Sequence, residues 1–226
     1  MLIFLDIETT GFEQEDKICS VGIVYGDTEE QTIYSLVNEG KKIPSSASAL
    51  HNITNEMIAD KKPFVESEAY AFLERFNDEE NSLIVHNKDF VLEFLMRAGL
   101  KWRGKIIDTQ RVVKHLISEC ENFALEFLRY ELKLYKQEPN LITHHALSDA
   151  RLIKLLFEYL KEECNVERMY DLSFESVLLE KFPFGKYAGR YIEEIAMNDR
   201  NYLEWMLSLE NLDDDLRYSL EYYLKG

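Results

Sequence analysis

The segment Ile3-Phe4-Leu5-Asp6-Ile7-Glu8-Thr9-Thr10-Gly11 opens the chain with an apolar run that ends in two carboxylates one residue apart. A short run of aliphatic and aromatic residues bounded by a glycine reads as a buried strand. Alternate side chains of a strand share a face, so Asp6 and Glu8 point the same way. Like charges held that close would be driven to take up a proton. A divalent cation removes the conflict, and hard oxygen ligands of this kind suit Mg²⁺ or Mn²⁺. Gly11 lets the backbone turn beside the two acids. Two solvated acids at an ordinary strand end would look the same, so a second signal has to decide.

That signal is Thr143-His144-His145-Ala146-Leu147-Ser148-Asp149-Ala150-Arg151-Leu152-Ile153. Apolar positions 146, 147, 150, 153, 156 and 157 recur at helical spacing, which predicts a helix over 145–163 with Asp149 one turn inside it. Both histidines fall at or before its start. A carboxylate on a rigid helix with an imidazole a few residues earlier suits metal-assisted phosphodiester hydrolysis. The carboxylates would hold the ions and the imidazole would take a proton from the attacking water.

In this order the pieces resemble the DEDD superfamily of 3′→5′ exonucleases in its histidine subclass, DEDDh. Its pattern is D-x-E at a strand end, a middle H-N-x-x-F-D, and a closing H-x4-D. The resemblance covers roughly residues 1–165. It implies an α/β fold, an RNase H-like mixed sheet flanked by helices. It also implies two Mg²⁺ or Mn²⁺ ions held by Asp6, Glu8, Asp149 and a fourth carboxylate. By register His144, not His145, is the expected general base. Thr9, Thr10, Gly11 and His51, the last in the element His51-Asn52-Ile53-Thr54, are expected to contact the terminal nucleotide. The implied reaction is stepwise hydrolysis of DNA from the 3′ end to 5′-mononucleotides. The implied partners are DNA 3′ ends, single-stranded ones foremost, together with a repair or polymerase protein.

The middle motif departs from the pattern. Aligned on His86, Asn87, Phe90 and Phe94, the metal-binding Asp falls on Val91, which cannot ligate a cation. Asp89 is the nearest acid. It reads either as the N-cap of a helix over 90–98 or as a surrogate metal ligand. Two residues along a helix is a rotation of about 200°, so Asp89 reaches the metals only if the helix begins after it. Glu93 is displaced by a similar angle. Val91 therefore keeps open a catalytically weakened protein that binds 3′ ends as an accessory, and because the same active-site pattern serves both polymers, an exoribonuclease acting on short RNA is open as well.

Composition sets the frame. The 226 residues, 46 % hydrophobic and 30 % charged, describe a folded globular protein. The net charge of −16 excludes a protein that coats nucleic acid through an extended basic track, but not one that grips a strand end. No apolar run is long enough to span a membrane. The start lacks the basic segment of a signal peptide, and Cys19, Cys120 and Cys164 have no zinc spacing, so a cytoplasmic location is expected.

Strands are predicted over 2–8, 18–25 and 31–37, with a Gly26-Asp27 turn between the last two. Helices are predicted at 55–59 and 66–76, short strands at 83–85 and 105–107, and a helix from Asp108. A composition shift near 165 marks a boundary between a domain over 1–165 and a small module over 170–226. The module's Phe182-Pro183-Phe184-Gly185-Lys186-Tyr187-Ala188-Gly189-Arg190-Tyr191-Ile192 reads as a hairpin. Helices at 192–197, 200–208 and 213–224 follow, the last capped by Asp213 or Asp214. Together with Asn201-Tyr202-Leu203-Glu204-Trp205-Met206-Leu207, this segment resembles the C-terminal extension of bacterial exonuclease X-type enzymes. Tyr187 and Tyr191, beside Lys186 and Arg190, suit either base stacking or the module's own core. Tyr202 and Trp205 are expected in the core.

Overall fold

The computed structural model describes residues 1–26 and 29–225. Strands β1 (Leu2–Thr9), β2 (Ile18–Tyr25) and β3 (Gln31–Leu36) form the expected antiparallel meander. The turn predicted at Gly26-Asp27 falls at Asp27 outside the described residues. Helices α1 (Ser45–His51), α2 (Asn55–Ile58) and α3 (Glu68–Arg75) follow, then β4 (Ser82–Val85) and α4 (Lys88–Arg97). After them come β5 (Lys105–Asp108), α5 (Thr109–Leu116), α6 (Leu125–Glu131), α7 (Ala146–Leu160) and α8 (Val166–Leu172). Strands β4 and β5 add to the far side of β1 in parallel, giving the order β3-β2-β1-β4-β5. This is the mixed, helix-flanked sheet the sequence predicted.

The two-residue period of β1 sorts its side chains between two cores. Ile3, Leu5 and Ile7 join one core with Leu73 of α3 and Phe94 and Leu95 of α4. Phe4 joins the other with Ile153, Leu156 and Phe157 of α7, Val112 of α5 and Leu128 of α6. By the same alternation Asp6 and Glu8 lie on the Phe4 side, beneath α7. Met169 and Leu172 of α8 belong to this second core, so the first domain packs on through Leu172, past the composition shift at 165.

Helices α9 (Ile192–Asn198), α10 (Arg200–Leu207) and α11 (Asp214–Lys225) complete the chain. They enclose a third core of Phe182, Ile192, Ile195, Leu203, Met206, Leu216 and Leu220. The predicted hairpin is reduced to one antiparallel bridge, Lys181 to Tyr191, because a 3₁₀ turn at Gly185–Tyr187 takes up the tip. Asp213 is the residue that caps α11, accepting from the Leu216 N–H at 3.0 Å. Tyr187 packs on Tyr202 and donates to Asp199, whereas Tyr191 is exposed. Trp205, expected in the core, is exposed because Leu203 and Met206 supply the covered face of α10. Arg111 of α5 clasps both oxygens of Asp215 in α11, at 3.1 and 2.9 Å, and so docks the small core on the large one.

Candidate active site

Asp6, Glu8 and Asp149 line one cavity of about 350 Å³ at the end of β1, together with His144. That volume is within the range of ligand pockets. Ligand atoms of Glu8, His144 and Asp149 lie within 4.8 Å of one another. Asp149 reaches the strand pair because the first turn of α7 lies directly on β2. Gly22, the partner of Asp6 across the β1–β2 ladder, makes this approach possible, since a Cβ there would overlap the Ala146 carbonyl and the Leu147 nitrogen. A glycine inside a strand is a recognised mark of such an approach, and the sequence carried that signal at position 22.

The electrostatics of the three acids are those of a cation site. Burial, then the charges of Asp149 and Glu8, push the Asp6 carboxyl well above its ordinary range. Burial and Asp149 push Glu8 up to about 8. Burial and then Glu126 push Asp149 up to about 7. Carboxylates this crowded ionise together only when positive charge is added. The carboxylates of Glu8 and Asp149 beside His144, with Asp6 lining the same cavity, thus fit a hard divalent ion.

His144 is exposed and adopts a left-handed backbone, φ 53°, a conformation uncommon outside glycine. Its neighbour Thr143 donates to Glu126 Oε1 at 3.0 Å, which ties this turn to α6. His145 is used differently. Its ring stacks on Tyr34 with centroids 4.5 Å apart, and it caps α7 through its backbone. Only His144 of the two lines the cavity.

The expected nucleotide contacts all line the cavity, yet their polar groups are engaged within the protein. The Thr9 hydroxyl donates to the Gly11 carbonyl at 2.7 Å. The Thr10 hydroxyl donates to Asp16 at 2.6 Å and accepts from the Lys17 N–H. Burial opposes ionisation of Asp16, but Lys41, Thr10 and the Glu13 N–H hold its carboxyl down at about 2. Burial also lowers the basicity of His51, whose Nδ1 accepts from the Ile53 N–H at 3.0 Å. These side chains brace the wall and present little to a ligand beyond its shape.

Asp89 is not brought to the cavity. Helix α4 begins at Lys88, and its N-cap is Asn87, whose side chain accepts from the Phe90 N–H. Asp89 is therefore already helical, 80 % exposed and paired with Lys88 at 2.9 Å. Neither reading of Asp89, cap or surrogate ligand, matches that placement. Val91 is 1 % exposed within the first core. His86 is a brace, with Thr109 on Nδ1 at 2.9 Å and the Phe123 carbonyl on Nε2 at 2.8 Å. Asp108 caps α5, as expected, and also accepts from the Asn87 and Lys88 N–H groups. The sequence reading passed over Glu126 and Phe12, both of which line the cavity. Phe12 is 79 % exposed and lies against Phe90.

The class of protein follows from comparison with known families. The exonuclease family profile matches residues 3–157, and an exodeoxyribonuclease X-like C-terminal profile matches 182–213. The chain belongs to the exonuclease family, so it is a hydrolase that works from strand ends; divalent metals are typical of its DEDD type. Among particular relatives, exodeoxyribonuclease 10 of Escherichia coli K12 is 30 % identical over 233 residues, with both chains covered completely. The 3′-5′ exonuclease DinG of Bacillus subtilis is 28 % identical over 166 residues, covering 69 % of this chain and 17 % of that one. A solved exonuclease X in complex with 5′ overhanging duplex DNA has the same fold. Its TM-score is 0.62 at 24 % identity, covering 76 % of this chain and 99 % of that one.

Proposed function

We propose that this chain removes 5′-mononucleotides one at a time from the 3′ end of DNA, with Mg²⁺ or Mn²⁺ held by Asp6, Glu8 and Asp149. The convergence of Glu8, His144 and Asp149 within 4.8 Å, from elements far apart in the chain, carries this reading. Divalent ions held there would polarise the scissile phosphate and offset charge on the leaving oxygen.

The protein supplies the rest. His144 takes the proton from the attacking water, a task that suits an exposed imidazole beside two carboxylates. The braced Thr9–Gly11 segment and His51 form the wall against which the terminal nucleotide rests. The ladder to β2 keeps Asp6 and Glu8 on one face, so the ions need no rearrangement of the strand. Single-stranded 3′ ends are the preferred substrate in this reading. Repair in the cytoplasm, alone or beside a polymerase, is the setting that fits.

DNA strands labelled at the 5′ end test it. The full chain with Mn²⁺ should shorten the label progressively by single nucleotides and release 5′-monophosphates, and EDTA should stop it. Preferential turnover of matched RNA would overturn the DNA assignment, and metal-independent cleavage would overturn the site.

A further inference from the structure

We infer that Glu126 of α6 is the fourth carboxylate of the metal site, binding the second divalent ion in place of the acid that Val91 lacks. The inference rests on the reading of Asp6, Glu8 and Asp149 as metal ligands. Position 91 is closed to this role by its burial in the apolar core. Asp89 and Glu93 are exposed and turned to Lys88 and Arg97 respectively. Glu126 lines the cavity with the other three acids.

How Glu126 is held also fits the role. Arg129 Nη1 and Thr143 Oγ1 both reach the same oxygen, Oε1, at 3.1 and 3.0 Å. Oε2 has no partner among the described residues. Ligating carboxylates are commonly oriented by such outer hydrogen bonds, which fix one oxygen and leave the other for the ion. Arg129 is itself buried and anchored on the Pro139 carbonyl, so it acts as a fixed support.

Calorimetric titration of the full, metal-free chain with Mn²⁺ alone tests this. The wild type should take up two ions. Glu126→Gln keeps both hydrogen bonds at Oε1 but removes the charge. It should leave the tighter ion unchanged and weaken the second by about tenfold or more. Because Gln also removes the ion pair with buried Arg129, its melting temperature in EDTA should fall somewhat, so the deciding reading is loss of the second Mn²⁺ site with the first at wild-type affinity, a split that a purely structural role would not give. Should Glu126→Gln misfold, Glu126→Asp gives the same reading through an intermediate loss of the second ion. Two ions bound by Glu126→Gln with wild-type affinities, while Asp149→Asn loses one, would overturn the inference and leave the wider reading standing. A wild type that binds no Mn²⁺ would overturn both.

Discussion

Gly22 presents bare backbone to Ala146, and a Cβ at position 22 would overlap the Ala146 carbonyl group. The contact sets the height of α7 above the sheet, and so the distance from Asp149 to the two acids of β1. Gly22→Ala forces the helix outward. It should lower stability by about 1–3 kcal/mol, the usual cost of overpacking. It should cut turnover by about 10²-fold, as misplacement by roughly 1 Å does in positioned sites. Melting curves and single-turnover rates check this, and a variant that melts normally with full activity would refute it.

The adjacent histidines should separate cleanly. His144→Ala removes the proposed proton acceptor and should slow hydrolysis by about 10²-fold or more with the fold intact. His145→Ala removes the stack on Tyr34 and should show mainly in melting temperature. If His145→Ala proves the more damaging change to turnover, the roles are reversed.

The crowded acids should make the metal-free protein sensitive to alkali. Asp6, Glu8 and Asp149 are all raised, Asp149 to about 7 and Glu8 to about 8. The folded state therefore binds more protons than the unfolded chain, and stability falls as pH rises. The loss should run from about pH 4–5, where the unfolded acids ionise, to about pH 8. Mn²⁺ should raise the melting temperature more at pH 8 than at pH 5, because ligand linkage then favours the ionised acids. A melting temperature in EDTA that climbs across this window would contradict the arrangement.

Alignment alone would expect Val91→Asp to restore a lost ligand and raise the rate. The structure predicts otherwise. A carboxyl at this position, 1 % exposed in an apolar core, should cost about 1–3 kcal/mol. Turnover should not rise. A tenfold gain with Mn²⁺ would show that position 91 does reach the ions.

The strands, the helices at 55–59, 66–76 and 145–163, the three terminal helices and three acids of the cavity were readable because each depends on a local period or a cap, whereas α1, α6 and α8 were not, α8 despite the Asn165 side chain that caps it. Asp6 and Glu8 follow from a two-residue repeat, and Asp149 from the helical spacing of Ala146, Ala150 and Ile153. Asp108 follows from capping chemistry, which left Asp213 and Asp214 both open until the Leu216 N–H selected Asp213. Glu126 was not readable, because its place beside Asp149 depends on how α6 and the turn at Thr143 close on each other. Asp89 was misjudged because the helix start depends on Asn87, whose left-handed backbone is held by Asp108 from another strand. Thr9 and Thr10 were assigned to the nucleotide by resemblance, whereas their hydroxyls serve the loop. The exposure of Trp205 could not be foreseen, since two faces of α10 carry large apolar residues and only tertiary packing selects one.

Carboxylates from β1 and α7 are proposed to form one metal site. Anomalous diffraction from a crystal of the full chain soaked in Mn²⁺ and a 5′-mononucleotide measures this directly. The predicted result is manganese peaks in contact with Asp6, Glu8 and Asp149, with the nucleotide phosphate beside them and His144 next to the phosphate. Manganese bound elsewhere, or a nucleotide seated away from these residues, would contradict it.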